Sequence, residues 1–217
     1  MRLMAGTSGF SYKEWVGEFY PAKTQPKGML AYYASRLPIV EINNTFYRMP
    51  TPALLQGWRA QVPQTFRFAI KAPKRVSHIK RLHDCGAEMR ALLDGLVAIE
   101  PCLGSLLVQL PPFFKADVGA LQEFADVLPE GSRAAFEFRN ASWFTAAVFD
   151  VLRARNFALV QSESDDGFDS VALFYAGDDG SLLQGALAER IAALPPHQRP
   201  AVLHAIDALP RTPTGKL

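Results

Sequence analysis

Cysteine is scarce: Cys85 and Cys102 are the only two in 217 residues, and they form no spaced metal or disulfide pattern. Reduced thiols in a cytoplasmic protein are the expectation. Histidine is scarce too, with four residues in all. Sites that hold catalytic metals gather several His and acidic ligands, so no metal centre and no cofactor is expected. No Gly-x-Gly-x-x-Gly turn follows any strand candidate, which argues against dinucleotide binding. No apolar run approaches the roughly 20 residues that span a bilayer. No long apolar stretch follows Arg2 in "MRLMAGTSGFSY", so no signal peptide is expected either. A strong charge of one sign is also missing. The formal net charge of +2 is too small to call for a polyanionic partner by itself. There is no internal repeat and no low-complexity tract.

What is present is an alternation of short apolar runs with helical patterns. Strand candidates fall at residues 2–6, 40–42, 66–71, 105–112, 134–138 and 157–162. In residues 66–71 Phe66, Phe68 and Ile70 alternate, and Pro111 and Pro112 stop the fourth run. Helical patterns fall at residues 27–36, 52–62, 82–98, 117–128 and 143–154, with Ser142 as the cap expected for the last. Strand and helix alternating every 25 to 35 residues or so indicate a parallel sheet with crossover helices. Six such units fit either a doubly wound sheet or a (β/α)₈ barrel.

The stretch "VEINNTFYRMP", residues 40–50, poses the functional question. It sets a carboxylate and amides where a buried strand ends. Other strands end the same way: Gly6-Thr7-Ser8 in the first, Lys71 in the third, Gln109 in the fourth, Glu137 and Arg139 in the fifth, Gln161 in the sixth. Strands buried on both faces are otherwise nearly all apolar, because an unpaired polar group there costs several kcal/mol. Polar residues repeated at one end therefore point to a shared site. The bland alternative is a set of strand-terminal caps bonded to loop backbone.

At this point the residues resemble a known family. "GTSGFSYKEWVGEFYP" (6–21), "VEINNTFYRMP" (40–50), "FRFAIKAPKRVSH" (66–78), "GSLLVQLPPFF" (104–114) and "AFEFRNASW" (135–143) are similar, in order, to the motifs of the domain-of-unknown-function 72 family, also called YecE-like. The resemblance covers about residues 1–166. It implies an α/β, TIM-barrel-like fold and no settled activity. That barrel has been likened to metal-dependent endonucleases acting at abasic DNA sites, an analogy of fold alone. The family's polar positions fall here on Glu41, Asn43, Tyr47, Lys71, His78, Gln109, Glu137, Arg139 and Trp143. Its aromatic opening segment carries Tyr12, Trp15 and Tyr20.

Residues 167–217 read differently. They resemble a fragment of the C-terminal subdomain of adenylate-forming acyl-CoA synthetases, with "LPRTPTGKL" similar to their late lysine motif and Lys216 at its lysine. The parallel barrel is then incomplete, with about six native units. The tail, with strands expected at 171–175 and 201–206 and a helix at 181–194, either supplies strands seven and eight or forms a short βαβ appendage. Alone, without an ATP-binding domain, Lys216 is expected to be inert.

Three functions follow from this reading. The first is a barrel with an anion-preferring cleft and hydrolase or lyase chemistry on a phosphate-bearing substrate. Glu41 or Glu137 is then the base, and Lys71, His78 and Arg139 stabilise negative charge. Asn43, Tyr47, Gln109, Trp143, Tyr12 and Trp15 bind substrate. The second is a non-catalytic nucleic-acid-binding module that uses the basic loop "KAPKRVSHIKR", residues 71–81, with the nearby aromatics. The third is an inactive ligase remnant fused to a barrel. Whether the chain is an enzyme stays open, and a small anionic ligand or nucleic acid is the partner expected.

Overall fold

The computed structural model describes residues 4–160. The tail, Gln161 and the expected strands and helix at 171–206 lie outside the described residues. Six parallel strands form one sheet in strict chain order. They are β1 (Gly6–Ser8), β2 (Ile39–Ile42), β3 (Arg67–Lys71), β4 (Leu103–Leu110), β5 (Ala134–Phe138) and β6 (Ala158–Val160). The helices between them are α1 (Pro26–Arg36), α2 (Asn44–Tyr47), α3 (Pro52–Arg59), α4 (Gly86–Leu96), α5 (Val118–Val127) and α6 (Ala146–Ala154). A doubly wound sheet reverses its strand order. This one does not, so right-handed crossovers place every helix on the same face, as in a TIM barrel.

Side-chain alternation along the strands shows that arrangement. Val40, Ile42, Phe68, Ile70, Leu106, Val108, Leu110, Phe136 and Phe138 join Met29, Leu30, Leu55, Met89, Leu92, Leu121, Phe124, Val148 and Leu152 of the helices in one core. Full burial of each such side chain contributes roughly 1.5–3 kcal/mol. Among the described residues, the other face carries a separate buried cluster of Leu107, Ala135 and Val160. Most of the apolar packing among the described residues therefore lies on the helix side.

Several boundaries differ from the sequence reading for local reasons. Among the described residues the first strand runs Gly6–Ser8, past the expected end at residue 6, because Gly6, Thr7 and Ser8 pair with Ile39, Val40 and Glu41. A Cβ on Gly6 would meet the Ile39 carbonyl oxygen at 2.0 Å, so β1 and β2 approach there only through glycine. The helix expected from residue 82 starts at Gly86, since Arg81, Leu82 and Asp84 have positive φ and break the helical path. It ends at Leu96 and passes into a 3₁₀ segment, Val97–Cys102, that contains Pro101. Ser142 is not the cap of α6. Thr145 is, accepting from the Val148 N–H, while Ser142 sits in a 3₁₀ turn and accepts from Ala116 N.

Candidate functional site

Among the described residues, most polar strand ends lie on the face away from the helices; Thr7 instead faces them and bonds the Tyr33 hydroxyl of α1. In parallel strands, paired residues point the same way, and Ser8 pairs with Glu41 and Gln109 with Glu137. Lys71 pairs with Leu107, and Leu107 with Ala135, both members of the helix-free cluster. Asn43 and Arg139 lie just past the strand ends and join the same groups through side-chain bonds, Asn43 to Ser8 and Arg139 to Glu137. Thus Ser8, Glu41, Asn43, Lys71, Gln109, Glu137 and Arg139 share one face and one end of the sheet, where parallel barrels carry their chemistry.

The best-defined group is cationic. Glu137, 4% exposed, accepts from Gln109 Nε2 at 2.7 Å on one oxygen and from Arg139 Nε at 2.8 Å on the other. Arg139 uses one of its five N–H groups in this way, and its side chain is 44% exposed. On the adjoining strand, Lys71 Nζ stands 5.3 Å from the centre of the Phe46 ring. The His78 ring meets the same phenyl edge-on at 4.9 Å. His78 belongs to a π-helical turn, Arg75–Ile79, whose widened backbone brings Ser77 Oγ to 2.9 Å from His78 Nδ1. Burial first, then Lys71, Lys74 and Arg139, hold the His78 pKa below its ordinary 6.5. His78 is therefore a neutral imidazole among three cations at neutral pH, and Nε2 makes no hydrogen bond among the described residues.

A second polar group sits at β1 and β2. Asn43 Nδ2 donates to Ser8 Oγ, and Ser8 Oγ donates to Glu41 Oε1 at 3.3 Å. Asn43 Oδ1 is buried and accepts nothing among the described residues. The Tyr12 hydroxyl donates to the Ser8 carbonyl, and the Tyr12 ring packs on Trp15 at 4.7 Å. Below this group a cavity of about 480 Å³ runs along the helix-free face toward the strand N-termini, lined by Ser8, Glu41, Ala69, Ser105, Ala135 and Ala158 among others. The cationic cluster stands at the opposite end from the cavity floor.

The sequence candidates divide accordingly. Lys71, His78, Gln109, Glu137 and Arg139 are brought together, and Glu41 and Asn43 adjoin them on the next strand. Trp143 is not available to a ligand: it is 0% exposed, stacks on Phe138 at 4.9 Å and donates its indole N–H to the Phe114 carbonyl at 2.7 Å. Tyr20 is buried likewise, and burial raises its hydroxyl pKa strongly. Tyr47 is 79% exposed on α2, beside Phe46. His83 stands 3.5 Å from Asp117 in a separate exposed pair.

Two contributors were not legible. Thr45, buried, bonds through Oγ1 to the carbonyls of Ile42 and Lys71 at 2.9 and 2.7 Å, tying α2 to the end of β3. Ser77, also buried, sets the His78 ring. A Thr at the third residue of a short turn and a Ser before a His carry no spacing signal. Their roles arise only from the folded contacts.

No group of three or more His, Cys, Asp or Glu capable of holding a metal occurs among the described residues. His78 is faced by cations, and both Glu137 oxygens are engaged. No helix among the described residues is long and apolar enough to cross a membrane.

A family model described as "Protein of unknown function DUF72" matches residues 4–201. The chain belongs to the DUF72 family. The match runs past residue 166, and these comparisons lend no support to an acyl-CoA synthetase resemblance in the tail. Two curated DUF72-like relatives are the UPF0759 protein YecE of Escherichia coli, 33% identical over 53% of this chain and 43% of its own length, and the UPF0759 protein YunF of Bacillus subtilis, 30% identical over 60% of this chain and 49% of its own length. The chain spans less than half the length of these relatives. Among solved structures, a DUF72 family protein from Thermotoga maritima superposes with a TM-score of 0.66 and 29% identity, over 79% of this chain and 68% of that one. Another from Enterococcus faecalis reaches 0.60 at 24% identity, over 73% and 60%, and supports the DUF72 fold alone.

Proposed function

We propose that the strand C-terminal ends form a binding cleft for a phosphate-bearing anion, with hydrolase or lyase chemistry on that substrate. The observation that carries this reading is the placement of Lys71 and His78 around one Phe46 ring, with Arg139 held by Glu137 at the same end of the sheet. Arg139 offers N–H groups in a planar fork that matches phosphate oxygens, and Lys71 adds a point charge. Together they offset the charge that develops as a phosphoryl or carboxyl oxygen takes up electrons.

The assignment of bases changes with the geometry. Glu137 has a donor on each oxygen and suits a tether that aims Arg139. His78 has an unengaged Nε2 and a depressed pKa, so it can take a proton from water or a substrate carbon near neutral pH and return it to the leaving group. Glu41 lies on the adjoining strand, where it accepts from Ser8 Oγ.

Titration with inorganic phosphate tests the proposal. Saturable binding that weakens with salt and falls at least tenfold in Arg139→Met and Lys71→Met is expected. Binding that is absent, or unchanged in both variants, overturns it.

A second reading has its own observation. Tyr47, Phe113 and Phe144 stand exposed in the loops after β2, β4 and β5, with Arg81 over the Phe113 ring at 5.9 Å. Such rings beside cations suit unstacked bases on a backbone. Tighter binding of single-stranded oligonucleotide than of phosphate, lost in Phe113→Ala, would select this reading.

A further inference from the structure

Ser77 and His78 are neighbours in the chain, and neighbours on a regular helix point about 100° apart and do not meet. The π-helical turn changes that. Lys80 N donates to the Arg75 carbonyl at 2.8 Å, a bond across five residues that widens the turn. Ser77 Oγ then stands 2.9 Å from His78 Nδ1 and 3.3 Å from the Pro73 carbonyl oxygen. Ser77 is 1% exposed, so among the described residues these two atoms are the partners its hydroxyl has.

A hydroxyl carries one proton, and a carbonyl oxygen only accepts. The contact with Pro73 is therefore a bond only when Ser77 donates to it, as serines on helices do to the carbonyl four residues back. The proton between Ser77 and His78 then belongs to Nδ1. In the reverse arrangement Ser77 donates to Nδ1, and its lone pairs face the Pro73 oxygen at 3.3 Å. Two acceptors then oppose each other out of reach of water, which is unfavourable. The Pro73 carbonyl already accepts the Val76 and Ser77 N–H groups. The hydroxyl bond adds little to it, and what that bond supplies is a direction.

We propose that Ser77 is a positioning residue that holds His78 in the Nδ1–H tautomer, so that Nε2 presents its lone pair to the ligand. This rests on the anion-cleft reading and names the atom that takes up the proton there. A lone pair repels phosphate oxygens, which are acceptors themselves. Nε2 is thus reserved for a donor, a water molecule or a proton-bearing group of the substrate, beside the anion held by Lys71 and Arg139. The proton passes from that group to Nε2, the bonding electron pair stays behind on the group, and Nδ1–H keeps its bond to Ser77 throughout. The ring needs no change of tautomer before it reacts.

The test uses the full chain, isotopically labelled at the histidine ring nitrogens. Long-range proton–nitrogen correlation NMR at a pH above 6.5, where the ring is neutral, distinguishes the nitrogen that carries the proton from the one that does not. The His78 signals are those lost in His78→Gln. In the native chain Nδ1 should be the protonated nitrogen and Nε2 the free one. Ser77→Ala should move the ring to the Nε2–H form that free histidine favours, or to a mixture, and Ser77→Thr, which keeps a hydroxyl, should restore the native pattern. Should Ser77→Thr fail to fold, the native chain and Ser77→Ala still decide. A free Nδ1 in the native chain, or a pattern that Ser77→Ala leaves unchanged, overturns this inference and leaves the anion cleft standing. Absence of inorganic phosphate binding by the native chain overturns the cleft, and with it the proton-accepting role, whichever tautomer Ser77 holds.

Discussion

Removing Glu137 tests whether the cationic cluster is organised as described. The Gln109 amide is 9% exposed, and Glu137→Ala leaves its N–H without an acceptor, a loss of about 1–3 kcal/mol. The Arg139 link joins a buried carboxylate to a half-exposed guanidinium. It therefore falls between surface pairs worth about 0–1 kcal/mol and buried pairs whose disruption costs about 3–5. Water replaces part of it, so about 1 kcal/mol is the appropriate value. The total, about 2–4 kcal/mol, corresponds to a fall in Tm of roughly 5–15 °C for a chain of this size. Urea unfolding of Glu137→Ala, Arg139→Met and the double variant gives the free energies, and the cycle should return a coupling of about 1 kcal/mol. A Tm loss below about 1 °C, or a coupling indistinguishable from zero, would refute the reasoning.

Other expectations follow from single contacts. Trp143→Phe removes the indole bond to the Phe114 carbonyl and should cost about 1–3 kcal/mol in unfolding free energy while leaving phosphate affinity unchanged; a loss of binding would return Trp143 to the site. Gly6→Ala drives a methyl into the Ile39 carbonyl and should cost at least about 1–3 kcal/mol or prevent soluble expression, with Tm as the readout. Hydrogen bonds from Arg75 and Lys80 hold the Glu88 carboxyl at about 2. Its contribution is complete above the ordinary 4.5 and lost as pH falls toward 2, so Glu88→Gln should flatten the acid limb of a Tm–pH curve. For His78 the folded state binds the proton less well than the unfolded state. Stability should therefore rise with pH from the folded pKa up to 6.5, and His78→Gln should abolish that rise.

Much of the fold was legible because local rules and global topology agree. The apolar runs at 66–71, 105–112 and 134–138 are strands because their alternation fits a pleat packed against helices, and Pro111 ends β4 as its missing N–H requires. Helix ends were less legible. The start of α4 is set by a left-handed turn at Arg81–Asp84, residues with no glycine to announce it. In the site, charge at strand ends was visible as pattern, so Lys71, Gln109, Glu137 and Arg139 could be named. What pattern cannot show is which atoms are already engaged. Glu137 reads as a base until Gln109 and Arg139 are seen on its two oxygens, and Trp143 reads as a ligand contact until its N–H is seen bonded inside the core.

The most direct test of the central claim is an NMR pH titration of the His78 ring in the presence and absence of inorganic phosphate. The account predicts a midpoint below 6.5 in the free protein, because burial and the Lys71, Lys74 and Arg139 charges oppose protonation. It predicts a rise when phosphate binds, because the anion offsets those charges. A midpoint at or above 6.5 without phosphate, or one that saturating phosphate leaves unmoved, would contradict it.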